Sequence, residues 1–306
     1  MRRTIKRQAK EERVPDAILF ADAHLRQTIP LNRKDDFLQS MWRKIDFISA
    51  LQEKYDCPVL HAGDLFNHWK TSPFLMTLAI QRMPKKFYSV VGNHDLPQNN
   101  MEFIEKAGIR TLAVAGVVTL LESGNWNQNE FDQRAFFKIK NRTILVWHKF
   151  VYKKKEHWKS DIGGETAGGV LRKVTNHFDV DLILTGDNHE AFVETHKGSI
   201  LVNPGSMMRI TTKQIDFKPR VYLWYADTNT VEPVYLPIED NVFDMERVVE
   251  KEQRDDRMNA FVKSLDTDWE GGSTIENNFE IFFRANKTEQ EIQTLVLKAI
   301  EYNVSL

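Results

Sequence analysis

Five short stretches each end an apolar run in side chains that can bind a cation or move a proton. They are Asp22 and His24 in FADAH, Asp64 in HAGDLFNH, Asn93, His94 and Asp95 in VVGNHD, His148 in LVWHKF, and Asp187 and His189 in TGDNHE. Taken singly, each has a structural explanation. Asp64 and Asp187 follow a glycine and suit a turn, His148 suits a satisfied core histidine, and Asn93 favours the left-handed region. Five at successive strand ends are a different matter, because carboxylates and imidazoles gathered in one pocket are costly to bury unless something pairs with them. Divalent cations are the natural partner. Carboxylates, an amide oxygen and imidazoles, with no thiolate, suit manganese, iron or zinc rather than a sulfur-bound structural zinc. The set is too large for one tetrahedral ion, and a carboxylate-bridged pair about 3.5 to 4 Å apart would use all of it.

Such a pocket needs elements that deliver the five strand ends to one place. AILFADAH reads as a strand ending at Ala21, DDFLQSMWRKIDFISALQEKY as a helix, CPVLHAGD as a strand, SPFLMTLAIQRM as a helix and KFYSVVGNHD as a strand. This βαβαβ order favours a parallel sheet with helices on its faces, whose carboxyl strand ends are where ligands bind. From about Thr111 the pattern turns strand-rich, with LAVAGVVTLLE and RAFFKIKNRTILVWHKF, then a helix near AGGVLRKVTNHF and the strand DLILTGDNH. AFVETHKGSILVNPGS reads as a hairpin turning at Lys197 and Gly198, and RVYLWYADTNTVEPVYLP as another. The sum is an α/β fold of two sheets packed face to face with helices outside, over residues 1–238. After Pro237 the pattern changes to a charged helix (NVFDMERVVEKEQRDDRMNAFVKSL), a loop (WEGGST), a strand (NNFEIFFRA) and a helix capped by Thr288 with Glu291. Residues 239–306 therefore read as a small α/β cap.

Composition narrows the setting. The chain has 306 residues, 42% hydrophobic and 28% charged, with 10 prolines and a single cysteine, Cys57, so it can form no internal disulfide. No apolar run reaches a membrane span, and the basic start has no apolar stretch behind it; a reducing cytoplasm is the expectation. The formal charge of -1 hides an asymmetry. Residues 239–306 carry 16 acidic and 8 basic residues, a net of -8 against +7 for residues 1–238. The acidic region is a poor grip for DNA and suits a role in limiting access, shaping the substrate path or meeting a partner. Just after His148, KFVYKKKEHWK interleaves Lys153, Lys154 and Lys155 with Tyr152, His157 and Trp158, a composition suited to phosphate contact and base stacking. Arg209 in GSMMRIT is a further candidate for phosphate contact.

In order along the chain, DAH, GDLFNH, GNHD, the single histidine of VWHKF and a final Gly-x-x-His resemble the five blocks of the calcineurin-like metallophosphoesterases. Within that superfamily GDLFNHWKTSP and NPGSMMRIT are similar to the SbcD-type nucleases of DNA double-strand-break repair. The resemblance implies a four-layer α/β/β/α fold and two divalent ions, Mn²⁺ foremost, with Mg²⁺, Fe²⁺ or Zn²⁺ as alternatives. By the same resemblance Asp22, His24 and His189 would hold the first ion, Asp64 would bridge, and Asn93 and His148 would hold the second. His94 would act as general acid with Asp95 behind it. A metal-bridged hydroxide would attack phosphorus in line while His94 protonates the departing oxygen. The family usually has Gly-His-x-His in its final block, and this chain has Asp187 at the first of those histidines. We expect Asp187 to ligate the second ion and to bias it toward harder ions such as Mn²⁺; the alternative is that its shorter side chain does not reach, leaving the second ion weakly held or absent. The resemblance also implies DNA as substrate and an SbcC-like ABC-type ATPase partner, although members of that group usually carry a further C-terminal docking helix and this sequence is expected to have none after the one that ends near Leu306, and it leaves room for a homodimer. A phosphatase or small-molecule phosphodiesterase on the same fold is the alternative activity. A non-catalytic scaffold is the reading that the intact GNHD favours least.

Overall fold

The central strands of the computed structural model are buried on both faces, and the alternation of their side chains sorts two separate cores. The structure describes residues 13–121, 133–153, 164–265, 280, 283–284, 287–290, 292–294 and 296. In β1 (Ala17–Phe20), Ile18 and Phe20 point to one core while Ala17 and Leu19 point to the other. Such strands read as unbroken apolar runs because neither face meets water.

The first sheet has six strands, in the order β13 (Thr230–Tyr235), β12 (Arg220–Tyr225), β1, β2 (Val59–His61), β3 (Phe87–Ser89) and β4 (Thr119–Leu120). The pairs β1–β2, β2–β3 and β3–β4 are parallel, and β12 runs antiparallel to β1. The second has five, in the order β10 (Phe192–His196), β11 (Ser199–Asn203), β9 (Leu182–Thr185), β6 (Arg142–His148) and β5 (Gln133–Ile139), with β6–β9 and β9–β11 parallel. A short pair, β7 (Val151–Tyr152) and β8 (Glu165–Thr166), lies apart from both.

Leu19, Leu60 and Val90 of the first sheet pack against Val146, Leu184 and Val202 of the second, with Trp224 fully buried among them. On the outer face of the first sheet lie α1 (Phe37–Tyr55), α2 (Pro73–Arg82) and α3 (Gly108–Val114), which contribute Trp42, Ile45, Ile48, Leu75, Ala79 and Leu112 to the other core. On the outer face of the second, α4 (Ala167–Thr175) lays Val170, Leu171 and Val174 on Trp147 and Ile183. The result is the expected layering of helix, sheet, sheet and helix. Three of these helices, α1, α2 and α4, start where a short polar side chain satisfies an early backbone N–H: Asp36 accepts from Gln39, Ser72 from Leu75 ahead of Pro73, and Thr166 from Gly169.

Two expectations about local structure fail. LAVAGVVTLLE was expected as strand, yet its first part completes α3 and only Thr119–Leu120 is strand. Ile109 and Leu112 both reach the core, and a spacing of three on one face belongs to a helix. The second failure concerns NNFEIFFRA, where Glu280, Phe283 and Arg284 are helical. Lys287 at φ 50° and the 3.1 Å bond from the Thr288 N–H to the Phe283 carbonyl form the left-handed closure that ends a helix.

The chain divides into two units, Met1–Asp244 and Met245–Leu306. Residues up to Asp244 belong with the first because the Lys34 N–H bonds the Val242 carbonyl and the Asp244 N–H bonds Asn32. Among the described residues the second unit contains helix, chiefly α5 (Met245–Leu265), and no strand. No described helix is long and apolar enough to cross a membrane.

Candidate metal centre

Beyond Phe20 and His61 the exits of β1 and β2 continue side by side. Asp22 N–H bonds the Gly63 carbonyl at 3.2 Å, His24 N–H bonds Asp64 at 3.0 Å and Leu25 N–H bonds Leu65 at 2.8 Å. Within this ladder Asp22 (φ 50°), His24 (φ 44°) and Asp64 (φ 58°) are left-handed, as is Asp187 (φ 72°) after β9. Non-glycine residues adopt this region at a cost of roughly 1 to 3 kcal/mol each, and such strain gathers at functional sites. It re-aims each side chain into the space between the loops. Two glycines keep that space open. A Cβ at Gly92 would lie 2.0 Å from Asp64 Oδ1, and one at Gly63 (φ 90°) would lie 2.6 Å from His148 Nδ1.

The side chains then meet as facing acceptors. The Ala62 carbonyl, 2.8 Å from His148 Nδ1, places the ring hydrogen on that nitrogen and leaves Nε2 as a lone pair. Yet Nε2 lies 2.8 Å from Asn93 Oδ1 and 3.6 Å from Asp64 Oδ1. On the other side of Asp64, His24 Nε2 lies 3.7 Å from Oδ2 and 3.1 Å from His189 Nε2. Asp22 Oδ2 and His24 Nδ1 are buried with no hydrogen-bond partner, although Asp22 Oδ1 accepts from the Asp187 N–H at 3.0 Å. Acceptors as close as His148 Nε2 and Asn93 Oδ1 repel unless a cation stands between them. Asp22, His24 and His189 form one group able to hold a metal ion, and Asp22, Asp64 and His148 form another.

Charge states agree with that fit. Burial, and then the neighbouring His189, hold His24 well below the usual imidazole range, and burial lowers His189 as well, so both keep their lone pairs at neutral pH. Burial, and then Asp64, push Asp22 well above the carboxylate range; the same two causes raise Asp95 to about 7. Bound divalent cations would reverse the carboxylate shifts by favouring the charged form.

Of the sequence candidates, Asp22, His24, Asp64, Asn93, His148, Asp187 and His189 surround this one space. Asp187 lines a cavity of about 340 Å³ together with Asn93 and His148. His94 is exposed beside it, with its ring edge-on to His24 at 4.9 Å and its N–H bonded to Asp64 Oδ1. Asp95 is not behind His94. Its carboxylate accepts from the backbone N–H groups of Leu65, Phe66 and Gly92, tying the Asp64 loop to the Asn93 loop. His94 Nδ1 is instead 2.9 Å from the Asn67 carbonyl, and Asn67 is itself held by Arg26 through its side chain and by the Leu25 carbonyl.

Arg209 is likewise no substrate contact. It is buried, and its guanidinium donates to the carbonyls of Ile215 and Glu239. Lys153 is exposed at the end of β7, whereas Lys154, Lys155, His157 and Trp158 lie outside the described residues.

Sequence reasoning missed the support under His189. Asn203, fully buried, donates through Nδ2 to the carbonyls of both Asn188 and Glu190 at 2.6 Å, and the Ser206 N–H reaches the His189 carbonyl at 3.3 Å. Thr185 Oγ1 orients the Asn203 amide by donating to its Oδ1. The motif NPGS is therefore a cradle for three consecutive carbonyls of the His189 loop. Its signal was visible as a polar residue at the end of an apolar strand, but nothing in the sequence says which backbone it grips. Asn203→Ala is expected to weaken Mn²⁺ binding by about 10- to 100-fold, the usual effect of losing support to a ligand. Isothermal titration with Mn²⁺ measures this, and an unchanged affinity would show that the loop holds its shape without Asn203.

No curated protein sequence matches this chain. Among solved structures it is similar to an archaeal phosphodiesterase (TM-score 0.42, 13% identity, covering 72% of this chain and 99% of that one). A putative 5′-nucleotidase from Staphylococcus aureus gives a TM-score of 0.41 and 15% identity, covering 78% of this chain and 58% of that one. Vacuolar protein sorting 29 from Cryptosporidium parvum gives 0.35 and 13%, covering 73% and 97%. The family model of the calcineurin-like phosphoesterase superfamily domain matches residues 17–217, a span that holds every strand end bearing a candidate ligand, from Asp22 to His189. With that match over most of the chain, the protein belongs to the calcineurin-like phosphoesterase superfamily.

Proposed function

We propose that the chain is a two-metal phosphodiesterase that cleaves DNA in the manner of the SbcD-type nucleases, with Mn²⁺ as its working ion. The observation that carries the two-metal reading is the position of Asp64, whose Oδ2 faces His24 and whose Oδ1 faces His148. One carboxylate with an oxygen toward each of two donor groups is what a bridged pair of cations requires. Asp22, His24 and His189 would complete one ion's shell, and Asn93, His148 and Asp187 the other's. A third carboxylate at Asp187 favours harder, oxygen-preferring ions over zinc.

Bound ions would supply charge neutralisation at the phosphoryl oxygens and an acidified water. The chain's own residues do the rest. His94 stands on the His24 side of the space with Nδ1 engaged by Asn67, so Nε2 is the atom that delivers a proton to the departing oxygen. Arg26 and the Leu25 carbonyl hold Asn67, and through it the ring. Asp95 keeps the Asp64 and Asn93 loops in register.

The stretches GDLFNHWKTSP and NPGSMMRIT support DNA as the substrate, as does the basic run that begins at Lys153. An ABC-type ATPase partner belongs to the same proposal. The cavity of about 340 Å³ beside Asp187, which has the size of a small-ligand site, favours a second reading, a small-molecule or nucleotide phosphodiesterase. Incubation with single- and double-stranded DNA in Mn²⁺, Mg²⁺ or EDTA, beside a generic phosphodiester dye, separates them. Cleavage of DNA that needs Mn²⁺ is the expected result. Dye hydrolysis with intact DNA would move the assignment to the second reading.

A further inference from the structure

The cavity of about 340 Å³ is lined by three of the ion-binding candidates and by residues that bind no ion. Asn93, His148 and Asp187 form one wall, and Asn99, Lys149, Phe150 and Gly164 form the rest. His94 is not among the lining residues; its ring meets His24 edge-on at 4.9 Å. A diester held in line between water and leaving group therefore has two organic substituents in different places. The departing one lies toward His94, and the retained one falls on the side of His148 and Asp187.

We infer that this cavity is a subsite for the retained group of a phosphodiester, and that Phe150 selects a planar unsaturated group there, a nucleobase or an aryl ring. The inference rests on the phosphodiesterase reading above. Three observations carry it. The volume lies within the range of small-ligand sites and admits a ring system. Phe150 follows His148 by two residues, so the strand end that presents an ion-binding imidazole also presents the aromatic wall. Gly164 fixes where the ring lies, since a Cβ there would come within 2.7 Å of Phe150 Cδ1 and 3.3 Å of Tyr152 Cε1.

The other lining groups are polar without being an added source of charge. Lys149 pairs with Glu165 at 3.1 Å and lies over the Trp147 ring, so it is not a free cation for a second phosphate. Asn99, left-handed at φ 53°, is exposed and presents an amide. An aromatic side chain beside amide and carboxylate groups suits a heteroaromatic ring better than a second phosphate. Stacking on Phe150 is sequence-tolerant because every base has a π face.

Three esters with the same departing p-nitrophenolate test this, with retained groups of thymidine (through its 5′-oxygen), p-nitrophenyl and methyl. For Phe150→Ala the KM of the thymidine and p-nitrophenyl esters is expected to rise by about tenfold, the size of one base–aromatic stack, and that of the methyl ester to stay within about twofold. Phe150→Trp should retain the preference for flat groups. Gly164→Val should lose it by displacing the ring, with Mn²⁺ affinity unchanged. Equal KM changes for all three esters, or none, in a Phe150→Ala protein that still binds Mn²⁺ would overturn the subsite while leaving the phosphodiesterase reading intact. A wild type that hydrolyses no diester overturns that reading and the inference with it.

Discussion

Asp64→Asn is expected to abolish turnover, lowering kcat/KM at least about 10³-fold, while making the metal-free protein more stable. The loss follows from Asp64 facing both donor groups, so that one substitution weakens both ion sites together. Removing an electrostatic stabiliser of that kind typically costs 10²- to 10³-fold or more. The gain in stability follows from repulsion. Asp64 is the second cause, after burial, of the raised titration of both Asp22 and Asp95, so neutralising it relieves two buried carboxylates. The sign with pH is fixed. A carboxylate whose folded value is raised contributes stability fully below its unfolded value of about 4, and loses it as pH rises through the folded value, here about 7 for Asp95. The variant's advantage should therefore be absent near pH 4 and greatest at neutral pH. Thermal melts in EDTA across that range measure it, and Mn²⁺ should raise the melting temperature of the wild type only. A variant less stable than wild type in EDTA at neutral pH would count against stored repulsion as a property of this site.

With DNA as the proposed substrate, His94→Ala is expected to lower cleavage by about 10²- to 10⁴-fold without changing the number of bound ions. Geometry makes both halves of that statement testable. His94 lies close enough to His24 and Asp64 to join a ligand group, yet its ring is exposed and its Nδ1 is bound to the Asn67 carbonyl. A general acid matters most when the departing oxygen is strongly basic. The deficit should be large for DNA, whose leaving group is an alkoxide, and within about tenfold for a p-nitrophenyl ester, whose leaving group needs little protonation. Comparing the two substrates, with metal analysis of the same preparation, distinguishes the roles. An ion lost together with activity on both substrates would make His94 a ligand.

The fate of Asp95 shows how far a motif reaches. In GNHD the carboxylate follows the histidine in sequence, which invites a dyad. In the fold the backbone turns between them, so Asp95 faces inward onto three N–H groups while His94 faces out to Asn67. Neighbours in sequence at a turn point to different sides, and only the φ and ψ values of the loop say which. Arg209 repeats the lesson. A basic residue after NPGS looks available for phosphate, but the course of Glu239–Asp244 along Lys34 and Asn32 places Arg209 under that segment, where its donors are taken by carbonyls. Asn203 shows the converse, a residue whose role depends on loop carbonyls more than ten positions away.

Much was readable from residue types and periods alone. Apolar runs of strand length, broken by helical periods, determine the layered α/β arrangement because doubly buried strands admit few other residues. The gathering of Asp22, Asp64, Asn93, His148 and Asp187 at strand ends follows from parallel topology, since parallel strands deliver their carboxyl ends to one edge. Local periodicity failed at α3, where short apolar residues suit either state and burial at positions 109 and 112 decided for helix. Tertiary structure alone decided which atoms face each other across Asp64, which carbonyl orients His94 and where Phe150 meets the cavity. Those are contacts between loops far apart in the chain. Side-chain type sets what such a contact can do, and only the meeting of the loops sets whether it occurs.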